Sequence, residues 1–398
     1  MRRLAPAIAV LALVATGAPV RATPVPPGFA SPNVEWVANV PLDADTSGAR
    51  IHGKRLYVTN SRALTIYDIS VPDLPVPMSV LPMPQMPYYP EEDVDTNGRI
   101  VLIGSLGDLK VVDVSNGRLP ALLATLPDAD AHTVTCLLDC KWAYTNAGHV
   151  IDLRNPAKPK VAGDWKKHTR SAYAHDVTEV APGLVVTSSQ PMLLLDARRD
   201  PAHPRVLARA GNRDKRFMHA NLWPRGGTDR FLLAGGETTS RPSCSDPEAG
   251  AFMVWDTTGW KSKGTFKLVG EYRAPDGLPH DGGAPTQTYC AHWFTTAPGW
   301  RNGGLVAMGW YEHGTRFLEV NGRGQVKEIG WFIPAGTSVS AAYWVTKDLV
   351  YLLDYNRGLD IVRLHRDGSR APLRTPTPPR VTFPTLRPSY QGVCPLPV

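Results

Sequence analysis

The sequence predicts an all-β fold, a seven-bladed β-propeller made of four-stranded blades. Three observations support this prediction. A strand-rich unit recurs along the chain with the roughly 40–45-residue spacing of propeller blades. The composition suits a turn-rich β protein, with 38 Pro and 35 Gly in 398 residues and only 20% charged residues. A strand that would complete the last unit stands ahead of the first.

The repeat is visible strand by strand. Each unit opens with a short strand, a turn and an apolar strand, as in "HTVTCLLDCKWAYTN" and "HDVTEVAPGLVVTSS". A third strand follows, such as "GHVIDLR" or "MLLLDAR", and then a fourth, such as "PKVAGDW". The first three strands occur in seven copies and the fourth in six. The segment "NVEWVANVPL", residues 33–42, has the pattern of the missing fourth strand, so we expect it to close the ring and remove the exposed sheet edges.

The termini lie outside the repeats. Residues 1–22 are predicted to be a signal peptide: Arg2 and Arg3 precede an apolar run from Leu4 to Leu13, and small residues follow it. Residues 23–370 are assigned to the propeller, and residues 371–398 to a Pro-rich C-terminal tail without recognisable chemistry. No later stretch has the length of a transmembrane helix. We therefore expect a protein that is secreted or sits on the exterior of the cell envelope.

Cysteine content and charge limit the partners. Five cysteines fit an oxidising compartment, with one disulfide expected between Cys136 and Cys140, a second between Cys244 and Cys290, and Cys394 left over. The net charge of +7 is spread along the chain without a Lys/Arg block, which argues against a nucleic-acid partner. We expect a monomer that takes a small molecule or an extracellular ligand at the mouth of its channel.

Several segments resemble a known repeat. "LKVVDVSN", "HVIDLRNPAKPKVAGDW" and "LDIVRL" are similar to the LVIVD repeat of exported bacterial β-propeller proteins. The resemblance covers residues 33–364. It implies the propeller architecture and export, and it implies no particular activity.

The strongest functional signal lies at the first position of the repeat. The first strand of each propeller blade lines the central channel, so its first residue lies at the channel mouth. Aligning the seven units places these residues around one rim: Ala49, Glu92, His132, His175, His219, His292 and Tyr343. Four of the chain's 11 histidines thus occupy equivalent positions. Neutral imidazoles with a carboxylate opposite suit a transition metal, so His132, His175, His219 and His292 are predicted to bind copper, iron or zinc.

The loops between the second and third strands open on the same face. They carry Glu237, the segments 311–313 and 354–357, and His149. Acids, tyrosines and an arginine beside a metal can orient ligands, hold a substrate or transfer protons. The predicted catalytic residues are Glu92, Tyr343, Glu237 and Arg357. For Arg357 the alternative is an ion pair with Asp354.

Two classes of function follow, and a third interpretation needs no ligand. The first is a metal-dependent protein, with an oxidase-like or hydrolase-like activity. The second is a non-catalytic propeller scaffold that binds a protein or glycan partner through its top-face loops. In the third, the rim histidines are purely structural. The sequence has no G-x-S-x-G, H-E-x-x-H or phosphate-loop motif, which argues against ordinary serine hydrolases, zincins and nucleotide enzymes.

Overall fold

The structure is a computed structural model that describes residues 29–42, 46–60, 62–83, 94–105, 107–171, 173–210, 218–237, 250–274 and 290–366. Across these residues, strands β1 to β28 form seven four-stranded antiparallel sheets. The predicted seven-bladed β-propeller is confirmed. The proposed signal peptide and the whole of the Pro-rich tail lie outside the described residues.

The strands are grouped here by their position in the blade, with blade 1 opening at β2 and blade 7 at β26. The first strands are β2 (Thr46–His52), β6 (Val94–Thr96), β10 (Val134–Leu137), β14 (Ala174–Ala181), β18 (Ala220–Leu222), β22 (Phe294–Thr296) and β26 (Val339–Trp344). The second strands are β3 (Arg55–Asn60), β7 (Ile100–Ser105), β11 (Trp142–Thr145), β15 (Leu184–Ser189), β19 (Phe231–Gly235), β23 (Gly304–Gly309) and β27 (Leu349–Asp354).

The outer half of each blade follows the same order. The third strands are β4 (Ala63–Asp68), β8 (Asp108–Asp113), β12 (His149–Asp152), β16 (Met192–Asp196), β20 (Phe252–Asp256), β24 (Thr315–Val320) and β28 (Gly358–Leu364). The fourth strands are β5 (Val76–Pro82), β9 (Ala121–Pro127), β13 (Lys160–Asp164), β17 (Arg205–Ala210), β21 (Lys267–Tyr272), β25 (Val326–Phe332) and, in blade 7, β1 (Val34–Val40). Three short helices lie between strands: α1 (Trp165–Thr169), α2 (Pro224–Gly227) and α3 (Trp260–Lys263).

The ring is closed by a strand from the start of the chain. β1 pairs antiparallel with β28, from Val34 opposite Leu364 to Val40 opposite Leu359. The closing strand predicted from residues 33–42 is therefore present. First strands of neighbouring blades contact one another, β10 with β14 and β14 with β18 among them, so the first strands are the innermost.

The hydrophobic core lies between blades. The buried apolar side chains form seven clusters, one for each pair of neighbouring blades around the ring. Between blades 5 and 6, for example, Leu233 and Phe252 pack with Val306 and Met308. A blade buries apolar side chains on both faces, which is why a second strand such as Ile100–Ser105 is buried at every position.

Every blade carries a β-bulge in its fourth strand. One extra residue stands there opposite the third strand: Val37, Met78, Leu123, Ala162, Leu207, Val269 and Ile329. A bulge increases the local twist of a sheet. Its recurrence in all seven blades shows that the repeat extends to backbone geometry as well as to side-chain pattern.

One predicted disulfide is present. Cys136 and Cys140 are bonded across the short turn between β10 and β11, as expected. Cys290 is also disulfide-bonded. Its predicted partner Cys244 and the leftover Cys394 lie outside the described residues.

Replacing a residue in an inter-blade core tests how much the packing between blades contributes to stability. Phe317 is fully buried between blades 6 and 7, so Phe317→Ala is expected to lower the free energy of unfolding by about 3–5 kcal/mol. Leu119 is 63% exposed, and Leu119→Ala should change stability by less than about 0.5 kcal/mol. Denaturant titration of both variants measures the difference; equal effects would contradict the placement of the core between blades.

Candidate functional site

Four imidazoles stand at one end of the innermost strands of blades 3 to 6. They are His132 ahead of β10, His175 within β14, His219 ahead of β18 and His292 ahead of β22. The backbone N–H groups of His219 and His292 donate to carbonyls at the end of the adjacent second strand, Gly235 at 2.8 Å and Gly309 at 3.0 Å. These backbone hydrogen bonds between the first and second strands therefore fix the positions of the Cα atoms of both histidines.

His175 reaches the channel through a β-bulge. Its neighbours Ala174 and Asp176 pair with Ser189 and Ser188, which leaves His175 as the extra residue of β14. Bulges beside functional sites commonly redirect a side chain. Here the bulge places the ring between the imidazoles of the two neighbouring blades.

The four rings form a continuous group. Their centroids are 4.8 Å apart for His132 and His175, 3.7 Å for His175 and His219, and 4.3 Å for His219 and His292. The Nε2 atoms of His132 and His175 are 3.1 Å apart. His175, His219 and His292 are buried, whereas His132 is half-buried, so His132 marks the side of the group that is open to solvent.

A buried carboxylate completes the group. Glu237 follows β19, and its Oε2 lies 3.7 Å from Nε2 of His219, with only 4% of the Glu237 side chain exposed. Possible ligand atoms of His175, His219 and Glu237 all lie within 4.8 Å of one another. Glu237, predicted from the sequence as a catalytic residue, is therefore brought directly to the imidazoles.

These three side chains have the donor chemistry of a transition-metal site. Zinc takes imidazole nitrogen and carboxylate oxygen at about 2.0–2.2 Å, which in tetrahedral geometry sets ligand atoms roughly 3.3–3.6 Å apart. The separation of 3.7 Å between His219 and Glu237 is close to that value. Two imidazoles and one carboxylate also form the ligand set of non-haem iron centres. The residues fit a metal by donor type, by convergence and by burial.

His292 is held in place by a backbone carbonyl and an aromatic ring. Its Nδ1 lies 2.5 Å from the carbonyl oxygen of Ser340, which can only accept a hydrogen bond, so Nδ1 carries the proton. The ring of Tyr311 covers His292 at a centroid distance of 4.4 Å, and Tyr355 stacks on Tyr311 at 6.0 Å. The aromatic side chains thus extend the row of imidazoles toward the loops of blades 6 and 7.

Two neighbours of the site were not predicted from the sequence. Trp293 directly follows a rim histidine, so alternation along the strand predicts that it points into the core between blades, yet its ring also lies edge-on to His219 at 5.5 Å. Ser340 contributes a backbone carbonyl, which leaves no mark in a side-chain pattern. A signal for Trp293 does exist, since it directly follows His292 in the chain, but alternation along a strand argued for the opposite face.

The predicted rim position of Tyr343 is corrected by the strand register. In β26 the bulged residue is Ser340, which lies between Val339 opposite Asp354 and Ala341 opposite Leu353. Ser340 is thus the counterpart of His175. Tyr343 lies three residues further along, opposite Tyr351, and packs against the core between blades 7 and 1. Glu92, the other predicted rim residue with a catalytic role, lies outside the described residues.

The Arg357 side chain forms a local ion pair. Its Nε donates to Asp360 Oδ2 at 2.8 Å on β28, while its backbone N–H donates to Asp354 at 3.1 Å. The partner of the guanidinium is therefore Asp360, not the alternative Asp354. Burial raises the pKa of Asp354 to about 6, and that carboxylate also accepts hydrogen bonds from Thr337 and Ser338. These contacts order the loop between β27 and β28.

The loop of blade 6 adds a second buried pair of titratable groups. Glu312 Oε1 lies 3.8 Å from Nδ1 of His313, and His313 is buried. Burial raises the pKa of Glu312 from 4.5 to about 8, so this carboxyl is largely protonated at neutral pH. At neutral pH, Glu312 therefore adds little negative charge to the loop that carries Tyr311.

Comparisons with known proteins do not assign the site. No family model matches the chain, and a search of curated proteins found no match. Among the described residues, no helix is long and apolar enough to cross a membrane. The geometry of the imidazoles and Glu237 is therefore the basis for inferring a function.

Glu312 gives a prediction for the pH dependence of stability. The pKa of Glu312 is higher in the folded protein than in the unfolded chain. Its stabilising contribution to the free energy of unfolding is therefore fully present below about pH 4.5 and is lost as the pH rises through about 8. Glu312→Gln removes this loss, so the variant should gain stability relative to the native protein between pH 5 and 9. We expect a gain on the order of 1–3 kcal/mol, because the side chain remains 24% exposed.

Urea unfolding midpoints across this pH range measure the effect. Glu319→Gln is the matched control, since Glu319 is an exposed glutamate on β24 of the same blade. A stability difference between Glu312→Gln and the native protein that stays constant with pH would contradict the assignment.

Proposed function

We propose that the protein binds one transition-metal ion, copper, iron or zinc, through His175, His219 and Glu237. One observation carries the proposal: three buried side chains with nitrogen and oxygen donors converge within 4.8 Å. A buried carboxylate charge is unfavourable unless it is paired with a cation or bound to a metal, and the phenol that donates to Glu237 is neutral. A divalent cation between these groups compensates the buried charge.

The remaining imidazoles take different roles in this proposal. His132 is a further ligand, because its Nε2 lies 3.1 Å from Nε2 of His175 and it stands on the open side of the group. His292 packs against His219 and is anchored on the carbonyl of Ser340. It holds the ring of His219 in place from behind.

The arrangement leaves room for chemistry on the side of His132. A metal held by three or four protein ligands with an open position can activate water or polarise a bound substrate, as in hydrolases and oxidases. We propose a hydrolase-like or oxidase-like activity on a small molecule that enters from the channel mouth. Besides its role as a ligand, Glu237 accepts a hydrogen bond from the phenol of Tyr311, which makes this pair of side chains the candidate for moving a proton.

We further propose that the protein works outside the cytosol and belongs with the LVIVD-type propellers. The disulfide between Cys136 and Cys140 supports an oxidising compartment. The basic and apolar N-terminal pattern supports export. The repeat motifs support the family relation.

Metal content tests the proposal directly. The protein is purified without a histidine tag, and bound metals are measured by elemental analysis before and after reconstitution with zinc, copper and iron. Near-stoichiometric metal is expected in the native protein. Less than a tenth should remain in His175→Ala/His219→Ala, because two of the three converging donors are removed.

The matched control removes two imidazoles from the surface. His168 and His203 are exposed and lie in ring contact at 5.3 Å, so His168→Ala/His203→Ala should keep the metal. If the native protein and both double variants are metal-free after reconstitution and equally stable, the metal site is refuted. A search for a protein or glycan that binds the loops would then take its place.

A further inference from the structure

The loop between β23 and β24 brings a tyrosine hydroxyl to the carboxylate of the site. The hydroxyl of Tyr311 donates to Glu237 Oε1 at 2.6 Å, and both side chains are buried. The other carboxylate oxygen, Oε2, is the one that lies 3.7 Å from Nε2 of His219. We infer that Tyr311 is a positioning residue that selects the orientation in which Glu237 binds metal; this inference rests on the proposed function.

The Tyr311 backbone adopts an unusual conformation. Its φ of 47° lies in the left-handed region, which is a genuine outlier for an aromatic residue. Hydrogen bonds hold it there: Tyr311 exchanges backbone bonds with Val339 at 3.0 and 2.9 Å, and Gly314 donates to its carbonyl at 2.9 Å. Such conformations persist where the surroundings enforce them and are concentrated at functional sites. Here the result is a ring over His292 and a hydroxyl on Glu237.

The hydrogen bond has a defined task at this position. The terminal torsion of a glutamate is broad, so the carboxylate of Glu237 can present either oxygen, or both, to a ligand. With Oε1 bound to the phenol, Oε2 alone faces the imidazoles. Carboxylates that bind metals are commonly fixed by such an outer hydrogen bond, and its loss typically weakens metal binding 10–100-fold.

Two other buried tyrosines of the described residues serve a different purpose. Tyr144 donates to the carbonyl of Pro201, and Tyr351 donates to the carbonyl of Pro72 at 2.6 Å. Both tie a blade to a turn of the next blade in the ring. Tyr311 instead donates to a charged group beside an imidazole. Its hydrogen bond therefore positions a side chain of the site, whereas those of Tyr144 and Tyr351 connect neighbouring blades.

A double-mutant cycle tests the inference, with Co²⁺ as the probe because its visible absorption reports the ligand geometry. Co²⁺ affinity and spectrum are measured for the native protein, Tyr311→Phe, Glu237→Gln and the double variant. Tyr311→Phe keeps the ring on His292 and removes only the hydroxyl. We expect it to weaken Co²⁺ binding 10–100-fold and to shift the absorption bands. In the Glu237→Gln background the same change should have no further effect on either measurement, because the residue acts through the carboxylate.

Tyr351→Phe is the matched control, since it removes one buried phenolic hydrogen bond in blade 7. It should leave Co²⁺ affinity and spectrum unchanged, and thermal unfolding of both variants reports whether stability differs. Native-like Co²⁺ binding by Tyr311→Phe would overturn the inference while leaving the metal site in place. Equal losses in the native and Glu237→Gln backgrounds would also overturn it. Absence of binding of Co²⁺, zinc, copper and iron by the native protein would refute the proposed function and this inference together.

Discussion

No blade of this propeller buries its own faces. The apolar side chains of each sheet are covered only by the neighbouring sheets, and the ring has no end because β1 pairs with β28. Closure thus depends on one antiparallel strand pair between residues more than 300 positions apart in the sequence. Once the ring is closed, the first strands have to meet around a common axis. The candidate site lies at that meeting, because its residues come from the innermost strands and loops of four consecutive blades.

Crowding at the axis explains the chemistry of the site. Four imidazoles and a carboxylate lie in contact where solvent access is limited to the side of His132. Gathering like charges there is unfavourable, which is the physical basis of the proposal that a cation binds among these side chains. The buried Glu237 then acquires two partners of different kinds, an imidazole on one oxygen and a phenol on the other. The two sides of the group therefore differ: His132 lies on the side open to solvent, and the stacked aromatic rings lie on the opposite side.

Much of the fold could be predicted from the sequence because it repeats. The spacing of the strand patterns, and the solitary fourth strand at residues 33–42, were sufficient for seven blades and for the way the ring closes. The equivalent placement of His132, His175, His219 and His292 followed from the same alignment. The alignment assigned Tyr343 in place of Ser340, which lies three residues earlier, because a small polar residue at that position gives neither an apolar nor an imidazole signal to align on. The partner of Arg357 and the contact between Glu237 and Tyr311 depend on side-chain torsions and loop backbone, which no repeat pattern encodes.

The first position of each innermost strand, called the slot below, is fixed by backbone hydrogen bonds. His219 and His292 are anchored there through their backbone N–H groups, and in blade 7 the corresponding slot holds a serine in the same kind of bulge that holds His175 in blade 4. The side chain at this slot is therefore independent of the hydrogen bonds that build the blade. When a propeller grows by duplication of blades, each new copy brings such a slot with it. Changes of single codons can then exchange serine, asparagine or histidine around the axis and create a new set of donors while the architecture is inherited unchanged.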